Sequence, residues 1–286
     1  MAERPLSAWQ RALASPRVCL GGTVLLALLL VAVFAPVLAP HDPLDQDLIN
    51  QYQQPIWTGS GDAAFPLGTD NLGRDILSRL IYGSRIALTV AFAAALAAAA
   101  IGVSLGLLAG YFGGACDIVI SRLVEIWMAF PAVLLAIVLV AVLGTGLHSV
   151  IIAIAVIDWT RFCRVVRAET MAQKQQDYVA TAVTIGLGRS HILLTEILPN
   201  VAPLLLVLVT LEMGIAVIVE AILSFVGLSV SSGAPTWGGL LQEGRLYVNQ
   251  APWLLVFPIL CIVATVLALN ALGDGLKTAL DPALRR

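Results

Sequence analysis

The apolar runs of this chain are too long for a soluble core, and they govern what it can become. Residues 18–39 are almost uninterrupted hydrophobic sequence, and about 20 such residues cross a bilayer core of roughly 30 Å as a helix. Further apolar runs occupy residues 84–110, 118–143, 150–162, 201–225 and 253–272. Lipid cannot satisfy backbone N–H and C=O groups, so each run must close its hydrogen bonds internally as a helix. The expected fold is all-α and polytopic, with six transmembrane helices. Composition agrees, since 59% of the 286 residues are hydrophobic and 12% are charged, against roughly 45–50% and 25% in soluble domains. The mean hydropathy is +0.93. A formal net charge of −2 without a basic, aromatic-studded patch excludes nucleic acid as a natural partner.

Charge orders the loops. Residues 1–17 carry Arg4, Arg11 and Arg17 against Glu3, so this segment is expected in the cytoplasm. The run that follows is longer than the 7–15 residues of a signal-peptide core, which favours a retained first span at 18–39 over a cleaved leader. Residues 40–83 hold Asp42, Asp45, Asp47, Asp62 and Asp70, with no Lys or Arg before Arg74. That acidic, Gly- and Pro-rich segment is expected outside. A core domain of five helices spans 84–273 and includes a basic loop at 161–200 with Arg161, Arg164, Arg167, Lys174 and Arg189. The loop is assigned to the inside, the loop 226–251 to the outside, and the tail 274–286 to the inside. Both termini are therefore cytoplasmic. Pro131 is expected to bend the third span or mark its start. Gly102, Gly106 and Gly110 recur at i+4, a small-residue stripe that lets helices approach closely.

One polar stretch, 177–200, interrupts the apolar core. Asp177 is expected to cap a short helix with Tyr178, Ala182 and Ile185 on one face. Gly186 is expected to end it in a left-handed turn, and Pro199 to open the next apolar helix. A short helix exposed between spans needs a partner, and the expected partner is a protein.

Groups that could do chemistry are few. Glu125, Asp158, Glu212 and Glu220 lie in or beside spans, where carboxylates mark a substrate or ion path or bond across helices. Glu212 and Glu220, eight residues apart, share a face. Trp237-Gly238-Gly239 after Pro235 reads as either a gate-like turn or an interfacial anchor. The four cysteines are scattered and the three histidines isolated, so no metal site is expected. The chain has no G-x-x-x-x-G-K-[ST] loop and no nucleophile elbow, so neither ATP hydrolysis nor other catalysis is expected of it. An ion-coupled secondary transporter, with Glu212 and Asp158 as proton relays, is a rival reading. Such carriers commonly show internal repeats and broken helices, which this sequence does not display.

The polar stretch resembles the cytoplasmic loop of bacterial ABC importer permeases, a mixed segment with a central glycine, here Gly186, and the ending Leu198-Pro199-Asn200. Pro66-Leu67-Gly68-Thr69-Asp70, Gly73-Arg74-Asp75 and Ser78-Arg79 are similar to the signature before the second span in C-type permease subunits of dipeptide, oligopeptide and nickel importers. Ala129-Phe130-Pro131, Glu220-Ala221, Leu223-Ser224-Phe225, Trp237-Gly238, Glu243-Gly244-Arg245 and Leu280-Asp281-Pro282 match the same family in order. The chain departs from the pattern at Ala180, where the family usually has Glu, at Thr181, where it has Ala, and at Val183, where a basic residue is common. Without that Glu, no capping box can form with Asp177, and the helix start is weakened by up to about 1 kcal/mol.

The resemblance implies a type I ABC importer permease fold and a bacterial inner-membrane complex. Its partners would be a second, B-type permease, two cytoplasmic ATPases that bind ATP and Mg, an extracytoplasmic solute-binding protein and membrane lipid. It assigns ATPase coupling to Asp177, Tyr178, Ala182, Ile185, Gly186, Pro199 and Asn200, and the translocation path to Glu212 and Glu220. The implied cargo is di- or oligopeptide, with nickel or metal chelates, glutathione or another small solute as alternatives.

Overall fold

The computed structural model describes residues 15–230 and 233–280. The N-terminal arginines Arg4 and Arg11, the motif residues Asp281-Pro282 and the tail arginines Arg285 and Arg286 lie outside the described residues. Helix α1 is Pro16–Val33, followed by a helical turn at Ala35–Leu38. The long helices are α2 (Ile76–Phe112), α3 (Gly114–Met128), α4 (Ala132–Leu143), α5 (Leu147–Lys174), α7 (Leu198–Phe225) and α9 (Trp253–Leu280). Two short ones, α6 (Asp177–Thr184) and α8 (Trp237–Gly244), stand at opposite ends of the bundle.

Among the described residues, four helical segments are long and apolar enough to cross a bilayer, and the α3–α4 pair makes a fifth if its halves form one span. That pair is bent by 89°. Phe130 precedes Pro131, and the proline ring drives the residue before it out of the helical region, so α3 stops at Met128 and α4 restarts after Pro131. Helix α5 is far longer than the apolar run 150–162. Its 28 residues extend about 42 Å, but Asp158, Arg161, Arg164 and Arg167 keep it out of the plainly apolar class. Its residence at membrane depth depends on partners supplied by neighbouring helices.

Helix α7 begins at Leu198 with Pro199 in its first turn, as expected, but the helical path does not break before it. The chain runs as one 37-residue helical rod from Arg189 to Phe225, with a π-helical turn at Ile192–Ile197 just before the proline. Pro199 has no N–H to donate to the carbonyl of Thr195, and its ring crowds that carbonyl. Widening the preceding turn lets the rod continue without a break.

The glycine stripe positions the centre of the bundle. A Cβ at Gly106 would lie 2.8 Å from the carbonyl oxygen of Cys163, and one at Gly110 2.7 Å from that of Arg167. Gly102 meets Trp159 in the same way, so both helices advance four residues per contact and their backbones touch. The bidentate Asp117–Arg167 pair, with Nη2 2.7 Å from Oδ2, fastens α3 to the same stretch of α5.

Candidate functional site

Three polar assemblies punctuate the apolar bundle, one at each end and one midway. At the first end, α6 lies across the ends of the long helices. Gln176, not Asp177, occupies its N-cap position, and no side chain caps the helix. Asp177 is therefore the first helical residue, and Ala180 is not at the third, where a capping-box glutamate would act. At the other terminus Gly186 adopts φ +84°. The N–H of Gly186 donates to Val183 O at 3.0 Å and that of Leu187 to Ala182 O at 3.1 Å. This is the Schellman pattern, and it requires the left-handed conformation that glycine adopts most readily.

The apolar face of α6 differs from the one expected. Val179 and Ala182 are buried in a cluster with Leu107 and Tyr111 of α2, Val166 of α5, and Ile192, Leu193, Ile197 and Val201 of the rod. Ala182 therefore packs against its own chain and cannot present itself to a partner. Tyr178 is half-buried and donates its hydroxyl to Gln173 Oε1 at 2.6 Å. Burial holds its phenol above the ordinary pKa. The surface left open includes Asp177, Ala180, Thr181, Val183, Thr184 and Ile185, with Val183 57% and Ile185 68% exposed. Pro199 and Asn200 are also exposed, and Asn200 donates to Glu196 O at 2.7 Å, within its own rod. Lys174 closes the C-terminus of α2 by donating to Tyr111 O at 2.6 Å.

At the opposite end, the residues 66–79 and α8 interlock. Asp70, Arg74 and Arg79 are buried. Arg74 Nε donates to Asp70 Oδ2 at 2.7 Å and its Nη2 to Glu243 Oε2 at 2.9 Å. Arg79 bonds Asp70 and also grips Glu243 through both terminal nitrogens, at 2.6 and 3.1 Å. Two guanidiniums thus neutralise two carboxylates, joining the start of α2 to α8 across more than 160 residues of sequence. Trp237 drives the same joint inward: it is 1% exposed, and its Nε1 donates to Leu80 O at 3.0 Å. So buried a ring does not act as an interfacial anchor.

Midway, Glu212 of α7 meets Arg161 of α5, with Nη1 3.1 Å from Oε2. Asp158 lies one turn away, 4.0 Å from the same nitrogen. Glu212 lines a 430 Å³ cavity beside Arg161, Arg164 and Leu208. Glu220 is enclosed by its own chain. Its carboxylate is 1% exposed and accepts from Ser224 Oγ at 2.6 Å and Ser229 Oγ at 3.1 Å, so it ties the end of α7 to the following loop. The pairs Arg161–Glu212 and Arg79–Glu243 were not among the expectations from sequence. For the first, the opposite charges of Asp158 and Arg161 at i,i+3 inside a span were a usable signal. For the second, no local pattern could have named the partner.

Residues 102–286 match the family described as the binding-protein-dependent transport system inner membrane component. Residues 6–55 match the N-terminal TM domain of oligopeptide transport permease C. The chain is 39% identical to a di/tripeptide transport system permease protein of Pseudomonas aeruginosa, over 98% of this chain and 93% of that protein. It is 40% identical to a dipeptide transport system permease protein of Haemophilus influenzae, over 93% and 90%. A glutathione transport system permease protein of Pectobacterium atrosepticum is 39% identical over 97% and 90%. A solved methionine ABC transporter in inward-facing conformations is similar in fold, with a TM-score of 0.60 at 18% identity, covering 71% of this chain and 97% of that one.

Proposed function

Because the chain belongs to the family of inner-membrane components of binding-protein-dependent transport systems, we propose that it is the C-type permease of an importer of short peptides. It would form the passage with a B-type permease, receive cargo from an extracytoplasmic solute-binding protein, and be driven by two cytoplasmic ATPases that bind ATP and Mg. Both termini and α6 would face the cytoplasm, with α8 and residues 40–83 outside. The substrate class rests on relatives whose names specify di- and tripeptides, dipeptides or glutathione, all of them short peptidic solutes.

The observation that carries the mechanism is the two-sided construction of α6. One side is welded by Val179 and Ala182 to helices α2, α5 and the rod, and the other leaves Val183 and Ile185 open. A helix built this way transmits force: a partner that grips Val183 and Ile185 moves three long helices as one body. Closure of the ATPases on ATP would swing α6 and so exchange inward and outward access. Asp177 at the first turn would complement the positive end of the helix, Tyr178 would hold the approach from α5, and Gly186 would fix the exit.

The double variant Val183→Asp, Ile185→Asp tests this. Insertion and thermal stability should stay at the parental level, while the ATPases no longer copurify and peptide uptake is lost. Normal uptake by this variant would refute the coupling role.

A further inference from the structure

The charges at mid-depth serve neither end of the molecule. Asp158 stands about 16 Å along α5, and Glu212 about 20 Å before the end of α7. Both therefore fall near the middle of a layer roughly 30 Å thick. Their side chains are 5% and 4% exposed, and the one cation between them, Arg161, is 40% exposed. Arg161 leans to Glu212, to which it donates at 3.1 and 3.4 Å. Asp158 is left 4.0 Å from the guanidinium and accepts no hydrogen bond among the described residues.

Arg161 forms a common wall of two spaces. On one side is the 430 Å³ cavity with Glu212, within the range of roughly 300–1,000 Å³ for small-molecule sites. On the other is a 210 Å³ cavity lined by Asp158 and the apolar side chains of Ile154, Ile215, Ile218 and Val219. Arg161 and Arg164 both border the Glu212 cavity, whereas the carboxylate of Asp158 has no guanidinium within hydrogen-bond reach, so the acceptor left without a donor faces the 210 Å³ cavity. Burying a carboxylate without a full set of partners costs several kcal/mol. The group that completes it is a small monovalent cation with several donors attached to an apolar body. A primary ammonium has three donors and no acceptor.

We infer that Asp158, backed by the Arg161–Glu212 pair, is a station in the passage that receives the ammonium end of a short peptide while the isoleucines receive its side chain. The inference rests on the reading of this chain as a peptide permease. Glu212 then has a positioning role: it holds Arg161 away from Asp158 and keeps that carboxylate available.

The test uses the complete, nucleotide-free transporter in lipid nanodiscs and a dipeptide whose second residue carries a diazirine. Photolysis should label α5 near Asp158 and α7 near Ile215–Val219. Dialanine and dialanine amide should compete for labelling, and N-acetyl-dialanine should not. Asp158→Asn should reduce labelling about tenfold, as expected for loss of a charged hydrogen bond, and Asp158→Glu should restore most of it. Copurification of all subunits checks that each variant is assembled, and the N-acetyl comparison requires no variant at all. Equal competition by N-acetyl-dialanine, or undiminished labelling of Asp158→Asn, overturns the station. Binding-protein-dependent dipeptide uptake without labelling there overturns this inference alone, whereas absence of such uptake by the parental complex overturns the peptide reading as well.

Discussion

The two ends of the bundle are built on opposite principles. Beside α8, Asp70, Arg74, Arg79 and Glu243 form one ion network, and Trp237 is buried in the same joint. Among the described residues, α6 takes part in no ion pair; it has no side-chain cap, and its surface is split between buried Val179 and Ala182 and open Val183 and Ile185. A closed network resists displacement, because opening it strands charges in a poor solvent. A half-open apolar face invites a partner and costs little to leave uncovered briefly. Under the proposed function, the contrast gives anchoring to one end and attachment to the other.

The largest expected effect comes from breaking the anchored end. Arg79→Ala leaves Asp70 and Glu243 short of a cation and should cost about 3–5 kcal/mol, seen as a lowered Tm in detergent and poor accumulation in the membrane. Arg79→Lys keeps the charge but cannot reproduce the two-pronged grip on Glu243, so its Tm should fall between the two. At the other end, Ile197→Ala opens a cavity under α6 and should cost about 2–5 kcal/mol. Its hydrogen exchange should quicken in α6 before it quickens in α8. Gly186→Ala forces a side chain into the left-handed turn and should cost about 1–3 kcal/mol. Open space around Gly186 confines the damage to the backbone, so exchange should rise at Gly186 and Leu187 only. The smallest effect sharpens the contrast by strengthening the weak end. Gln176→Ser supplies the missing cap and should slow amide exchange in the first turn of α6 by up to about 1 kcal/mol. An unchanged rate would mean that the tertiary seat alone already holds that turn.

Much of the helical architecture was legible because lipid imposes a simple demand: long apolar segments must be helices. The glycine stripe was legible for a related reason, since i+4 spacing places Gly102, Gly106 and Gly110 on one face whatever they meet. Gly186 could be read from its place at the end of an amphipathic turn. Boundaries read less well. Residues 163–174 looked like loop because they are charged, yet α5 continues through them, supported by Asp117 and by the backbone of α2. The face of α6 was misjudged because periodicity reports that Tyr178, Ala182 and Ile185 align, but not which side of so short a helix the neighbouring spans will cover.

By itself the sequence determined an all-helical membrane protein, a bend at Pro131, a polar stretch between spans and the absence of a phosphate loop. Each of these follows from local rules of chain geometry or from the solvent a segment can tolerate. Tertiary structure decided the rest: that Ala182 turns inward and Val183 outward, that Glu220 is occupied by two serines, and that Arg79 finds Glu243 and Arg161 finds Glu212. Those outcomes depend on which helices lie side by side. Electrostatic pairing acts over a few ångströms of space, and distance along the chain carries almost no information about it.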